Sequence, residues 1–440
     1  MKRYTTLILW AICLMALTWG ISLGFSRETA LSPLTDLEFA VVSDVHVMDP
    51  SLLVNPGEAL DDYLRHDRKM LLESPAITTE LTRQLLETRP QLVLLTGDLT
   101  KDGEAVSHTY VRQHLLEPLR QAGIQVLVIP GNHDINNPHA VAYDGDSCRR
   151  VSTFSPEEFA TFYSDYGYGG ALARDTASLS YTFAVSPQLR VLAIDACRYD
   201  ENDFDRNICR HEGRIRPQTL EWIRRQLADA RQQGVYVIGM MHHGLMEHWS
   251  MQDEAIPGYV VDHSRSVRRV LAQEGLEVVF TGHAHTQDVA RSQGLWDVET
   301  GSTVSYPLPY RTVELHGSAM QVHSHHLDSI DYDTHGLPLQ DYARASTAQG
   351  FRSLVSEFLP EAVPQDLRDR VLAFGAELMC DNYRGDERLT AARADTIRAL
   401  SRQLRRYSLR WGLLFDRVAH SVLNDRGPAD NDLLIPLRRR

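Results

Sequence analysis

Lysine is almost absent from this 440-residue chain: Lys2, Lys69 and Lys101 are all it has, and arginine carries the basic load. We read that scarcity as genomic base composition. Positive charge is short overall, with a formal net charge of −13 and a pI near 5.8. The chain therefore lacks the basic footprint of a nonspecific nucleic-acid binder, and no nucleic-acid polymer is expected as a partner. An acidic surface still admits a phosphate substrate where bound metals supply local positive charge. Internal repeats and low-complexity tracts are missing as well. Hydrophobic residues at 43% and charged residues at 23% are ordinary for a globular protein. A chain of this length buries a large core and exceeds one domain.

What the chain does have is five short segments that end hydrophobic runs with metal-type ligands. They are Asp44-Val45-His46, Gly97-Asp98, Gly131-Asn132-His133-Asp134, His242-His243 and Gly282-His283-Ala284-His285. Cysteine and methionine are absent from all five, which argues against a thiolate or copper site. The mixed carboxylate, amide and imidazole set suits two divalent ions of Mn, Fe or Zn. A carboxylate shared by two ions holds them roughly 3.5–4 Å apart, the spacing that polarises a phosphoryl oxygen and activates water. Asp98, alone at its strand end, is the natural bridging candidate.

The runs that lead into these segments are short and rich in β-formers: residues 37–42, 92–95, 125–129, 235–238 and 277–280. Each reads as a buried strand ended by glycine, proline or a polar residue. In open α/β sheets, ligands gather at the carboxyl ends of the strands. Any one of the five is weak alone, since an Asp-x-His or a Gly-Asp is more often a plain turn. Their joint occurrence at five strand ends is what gives the pattern its specificity.

In order and content the motifs resemble the calcineurin-like metallophosphoesterase family, and within it the exported bacterial branch related to class III cyclic-nucleotide phosphodiesterases. Gly97-Asp98-Leu99-Thr100, Gly131 to Pro138, Tyr163 to Tyr168 and Ser178 to Tyr181 carry the likeness, which covers residues 37–327. The resemblance implies an α/β fold: a two-sheet β-sandwich of the metallophosphoesterase type flanked by helices. It also implies a first metal held by Asp44, His46, Asp98 and His285. A second would be held by Asp98, Asn132, His242 and His283, with His243 the less favoured of its pair. His133 would be a catalytic non-ligand that protonates the leaving oxygen or stabilises the transition state. Asp134 would orient it. The implied activity is hydrolysis of small-molecule phosphodiesters, cyclic nucleotides first, by attack of a metal-bound hydroxide. The alternatives are an exported phosphomonoesterase or phospholipid-headgroup phosphohydrolase, or a non-catalytic metal-bound surface protein. Departures narrow the branch. Purple acid phosphatases place a Tyr three residues past the bridging Asp, where this chain has Lys101. Serine/threonine phosphatases carry Asp-Arg-Gly there, and Leu99 to Gly103 reads Leu-Thr-Lys-Asp-Gly.

The N-terminus opens with Met1-Lys2-Arg3 and a mostly apolar run over residues 7–23. Residues 1–25 read as a secretory signal or an uncleaved signal-anchor, so the protein is expected outside the cytoplasm, in the periplasm or beyond. Any membrane contact would run through that segment. Export makes Cys148, Cys197, Cys209 and Cys380 an even set. Cys197 and Cys209 bracket a polar loop that a disulfide would close; the alternative is four free thiols.

Between the motifs, residues 49–79 form an insertion, and helices are expected at 79–89, 109–122, 156–163 and 217–232 in a βαβ rhythm. Strands at 295–299, 310–315 and 320–327 would complete the second sheet, so the catalytic domain spans 36–328. The loop Gly301 to Pro307 resembles a family loop beside the substrate pocket. His316, His323, His325 and His326 read as strand-surface residues, since alternate positions face opposite sides. Past residue 341 apolar residues recur at helical spacing over 351–359, 364–380, 389–405 and 409–423, with no strand-like alternation. This is read as an all-α C-terminal domain, 341–430. Asp381 to Asp386 is read as a helix–helix loop, with reach into the pocket as the alternative, and Arg438-Arg439-Arg440 as a solvated tail.

Overall fold

The computed structural model describes residues 34–65, 67–424 and 427–438. The export segment read at residues 1–25 lies outside them. No helix among the described residues is long and apolar enough to cross a membrane.

The strands in chain order are β1 Leu34–Val42, β2 Leu53–Asn55, β3 Leu92–Leu95, β4 Gln125–Val128, β5 Val141–Asp144, β6 Ser147–Arg150, β7 Ala173–Arg174 and β8 Tyr181–Ser186. They continue as β9 Leu189–Ile194, β10 Tyr236–Met241, β11 Val278–Thr281, β12 Asp288–Ser292, β13 Leu295–Glu299, β14 Pro309–Gly317, β15 Ala319–His326 and β16 Asp432–Pro436. One sheet runs β16-β15-β14-β1-β3-β4 and another β12-β13-β11-β10-β9-β8-β7. A small third sheet, β2-β5-β6, is built partly from the insertion after the first motif.

The two large sheets face each other across one core. Phe39 of β1 meets Phe280 of β11 edge to face, 5.5 Å between ring centroids. Strand β3 is buried along its whole length because helix covers its other face, as parallel strands require. The helix Ser74–Thr88 supplies part of that cover, with Ile77, Leu81 and Leu85 buried at a spacing of four, one helix face. The helix Pro217–Gln232 packs Trp222, Ile223 and Leu227 into a second core beside β9 and β10.

The central strands place the motifs. β1, β3 and β4 run parallel with Val42, Leu95 and Val128 in register, so their carboxyl ends lie side by side. β10 and β11 are likewise parallel in the facing sheet. Five loops thus open onto one edge of the sandwich.

Several expectations are revised. The helix expected at 109–122 is divided into Ala105–Val111 and Glu117–Gln121 by a wider turn at Arg112–Leu116. The C-terminal helices are Leu339–Phe358, Gln365–Arg384, Ala391–Leu404 and Leu409–Val422. The first begins well before residue 351, because its early turns are mostly small and polar and mask the apolar period. Strand-like alternation does occur past residue 341: β16 buries Leu433 and Ile435 and exposes Leu434, pairing antiparallel with β15. The short run and its proline hide it in sequence. Of the tail, Arg438 is exposed and donates its backbone N–H to Glu277, while residues 439–440 lie outside the described ones. The four described cysteines are free thiols.

Candidate metal centre

The site sits where the five loops converge, and their backbones tie to one another. Asp44 N–H donates to the Gly97 carbonyl at 3.1 Å and His46 N–H to that of Asp98 at 3.0 Å. His283 N–H crosses from the other sheet to the Asp44 carboxylate at 3.0 Å. Asp44, His46, Asp98, His283 and His285 all have positive φ, between 38° and 76°. Non-glycine residues rarely adopt this region, and when they do at clustered positions it marks a functional constraint. Gly131 lies so close to the Asp98 carboxylate that a Cβ there would collide with it.

The side chains form two groups joined by one carboxylate. Asp44, His46 and His285 offer ligand atoms within 4.8 Å of one another, as do Asp98, His242 and His283. Asp98 also groups with His46 and His133. His285 Nε2 lies 3.3 Å from Asp44 Oδ1 and 3.2 Å from His46 Nε2, so two imidazoles and a carboxylate point at one spot. His242 fixes its ring through Nδ1 to the Thr96 carbonyl at 2.9 Å. Its Nε2 is thereby left 3.2 Å from Asp98 and 3.1 Å from Asn132 Oδ1. His243 turns the other way, toward the His211 carbonyl.

These residues fit metal ions on two observations. Asp44 Oδ1 and His283 Nε2 are buried with no hydrogen-bond partner, as ligand atoms would be without their ion. The imidazoles of His46, His283 and His285 are also biased toward the neutral form that ligation requires. Burial, and after it the Lys69 charge, pushes His46 down to about 3, and burial with His243 and His242 holds His283 well below its usual value. His242 goes the other way. Against its burial, Asp98 and Asp44 raise it to about 9, which reports a strong local demand for positive charge.

His133 stands beside the groups, its ring 4.9 Å from that of His46. Its Nδ1 meets Asp102 Oδ1 at 2.8 Å, while Nε2 faces Asp98 at 4.0 Å. The partner of His133 is therefore Asp102, and the orienting role expected of Asp134 is corrected. Asp134 accepts from Gly131 N–H at 2.8 Å, Thr100 N–H at 3.0 Å, Leu99 N–H at 3.1 Å and Thr100 Oγ1 at 2.9 Å. It clamps the Asp98 loop to the Asn132 loop. Asp102 is itself paired with buried Lys101.

Of the other residues at the site, Tyr259 was not singled out from sequence. The Tyr259 ring lies tilted against His283, 4.7 Å between centroids, and Tyr383, within the supposed helix–helix loop, lies 6.1 Å from His285 between ring centroids. Residues 381–384 in fact complete the helix Gln365–Arg384, and Tyr383 is buried. The Gly301 to Pro307 loop does lie beside the site: Ser302 Oγ donates to the Asp44 carbonyl at 2.7 Å and Ser305 Oγ is 3.5 Å from His285 Nδ1. His316, His323, His325 and His326 form no metal-type group among the described residues. Each pairs with a nearby side chain on its sheet or the adjoining loop.

Sheets, loops and ligand groups together define a metal-binding sandwich of the phosphoesterase class. The model of the calcineurin-like phosphoesterase family matches residues 37–287, and the chain belongs to that family. A probable cyclic nucleotide phosphodiesterase of Psychrobacter arcticus is 24% identical over 218 residues, 49% of this chain and 64% of that protein. Another, from Psychrobacter sp. strain PRwf-1, is 26% identical over 251 residues, 57% of this chain and 62% of that one. The chain thus matches just under two thirds of the length of each. A dimetal phosphatase from Danio rerio superposes with a TM-score of 0.48 at 16% identity, covering 67% of this chain and 97% of that one.

Proposed function

We propose that this chain is a dinuclear-metal-dependent phosphoester hydrolase acting on phosphodiester bonds of small molecules, with cyclic nucleotides the first class to test. The observation that supports it most is that Asp98 groups with His242 and His283 of the facing sheet and also lies 3.6 Å from His46 of the other ligand group. Asp44, His46, Asp98 and His285 would hold one divalent ion; Asp98, Asn132, His242 and His283 would hold the other. Bound there, such ions polarise phosphoryl oxygens and lower the pKa of water toward neutrality.

The chain's own residues supply the rest. Asp102 fixes the His133 ring through Nδ1, so Nε2 is the nitrogen that gives a proton to the leaving oxygen. The Asp134 clamp keeps the Asp98 and Asn132 loops at a fixed separation. Tyr259 and Tyr383 cover the flanks of the ligand histidines and limit water access. The similarity to the two Psychrobacter probable cyclic nucleotide phosphodiesterases favours the cyclic-nucleotide class among diesters.

The test is hydrolysis of bis(p-nitrophenyl) phosphate against p-nitrophenyl phosphate with Mn²⁺ added, beside a His283→Ala control. Turnover of the diester, abolished in the control, is the expected result. No turnover of either ester by protein carrying two metals would sink the reading.

A further inference from the structure

Two of the few cations near the centre have no part in that account. Arg68 and Lys69 belong to the insertion, on a strap that passes over the metal groups. Met70 N–H donates to the Val304 carbonyl at 2.7 Å, and Ser305 Oγ, which also reaches His285, donates to the Arg68 carbonyl at 3.1 Å. On the outer side the helix Leu339–Phe358 presses on the strap at Gly350, where a Cβ would collide with the Asp67 carbonyl. The strap is therefore held between the loop beside Asp44 and the C-terminal helices.

The Lys69 side chain is buried and that of Arg68 is half-buried. The Lys69 side chain is 7% exposed, and its ion pair among the described residues is a loose one, 3.5 Å to Asp67. Its positive charge disfavours protonation of His46, His133 and His285 and favours the ionised form of Asp102, so it bears on residues from both sheets. The Arg68 guanidinium lies over the Phe351 ring at 5.6 Å and interacts with the phenols of Tyr383 and Tyr259, the two rings that abut His285 and His283. Arg68 Nε is buried with no hydrogen-bond partner. A buried donor left unpaired next to a cation site is unfavourable unless an anion completes it.

Charge counting gives the sense of that anion. Two carboxylates, Asp44 and Asp98, facing two divalent ions leave two positive charges unbalanced. Lys69 and Arg68 add two, and Asp67 removes one. A phosphodiester is a monoanion with two non-bridging oxygens, which two bound metals would suffice to neutralise. A phosphomonoester above its second pKa, about 6, is a dianion with a third such oxygen.

We propose that Lys69 and Arg68 form an anion subsite for the third non-bridging oxygen of a phosphate dianion, so that the chain hydrolyses phosphomonoesters alongside diesters. This rests on the phosphoesterase reading above. Hydrolysis adds water across the ester bond: the water oxygen bonds phosphorus, the P–O ester bond breaks, and the alcohol leaves with a proton from His133, which the water restores.

The experiment uses the full chain loaded with Mn²⁺, as wild type, Lys69→Met, Arg68→Gln and Lys69→Arg. Calorimetry at about pH 8, where phosphate is dianionic, gives the dissociation constants of inorganic phosphate and of dimethyl phosphate. Metal content is measured on each sample. Phosphate affinity should fall at least about tenfold in Lys69→Met and in Arg68→Gln, the loss typical of a charge-assisted hydrogen bond. Dimethyl phosphate affinity should change far less, two metals should remain, and Lys69→Arg should recover most of the loss. The ratio of kcat/KM for p-nitrophenyl phosphate to that for the diester should fall in parallel. Equal losses for both anions, or none in either variant, overturn the subsite. Failure of the wild-type, metal-loaded chain to bind phosphate while it still hydrolyses the diester also overturns the subsite, whereas no turnover of either ester would remove the phosphoesterase reading beneath it.

Discussion

Two neighbouring aspartates do different work at the residue scale. Asp102 touches the one imidazole expected to move a proton, and Asp134 touches backbone. Removing the Asp102 carboxylate frees the His133 ring without removing a metal-type ligand. Asp102→Ala should lower kcat for alkyl phosphoesters about 10- to 100-fold with metal content retained, as for other groups that orient a site residue. The loss should shrink with p-nitrophenyl esters, whose leaving group needs no proton. An equal loss for both ester types would mean that Asp102 serves only the fold. Asp134→Ala strands three buried N–H donors and the Thr100 hydroxyl. It should destabilise the protein by on the order of 3 kcal/mol in urea unfolding and reduce metal binding with it. The sequence carried Asp102 in plain view, four residues past Asp98. Its role stayed hidden because nothing local shows which carboxylate the His133 ring will face across a loop.

Elements explain which parts of the fold could be read in advance. β1, β3, β4, β10 and β11 are legible because each is a short apolar run with an abrupt polar end, and both features are local. The helix Pro217–Gln232 matches expectation, with Pro217 in its first turn and Gly234 just past its end. β16 is not legible, since five residues with one proline acquire strand character only from the free edge of β15. Its alternation makes a paired test. Ile435 is fully buried and Leu434 is 59% exposed. Ile435→Ala should destabilise by about 2–5 kcal/mol, whereas Leu434→Ala should stay within about 0.5 kcal/mol. Comparable effects from both, measured in urea, would mean that β16 does not hold this register in solution.

For the whole molecule, the metal centre is a joint between the two large sheets. Asp44, Asp98 and Asn132 follow strands of one, and His242, His283 and His285 follow strands of the other. Ions bound there link the sheets in the folded state and lose most of their ligands on unfolding. At a free metal concentration a thousandfold above Kd, binding should add about 4 kcal/mol of stability. Stripping with a chelator should lower Tm by several degrees, and Mn²⁺ should restore it. A Tm indifferent to metal, in His283→Ala and wild type alike, would speak against ligands shared across the sandwich.

By itself the sequence determined the family, the α/β class and the seven residues gathered at the centre. Those features rest on local strings of residues: strand, abrupt end, ligand. The tertiary structure decided which aspartate partners His133, that β16 returns to the first sheet, and that Tyr383 from a C-terminal helix reaches His285. It also brought Arg68 and Lys69 of the insertion over the ligands. These depend on contacts between residues tens to hundreds of positions apart, and hydrophobic period and motif spacing record only what lies within a few residues.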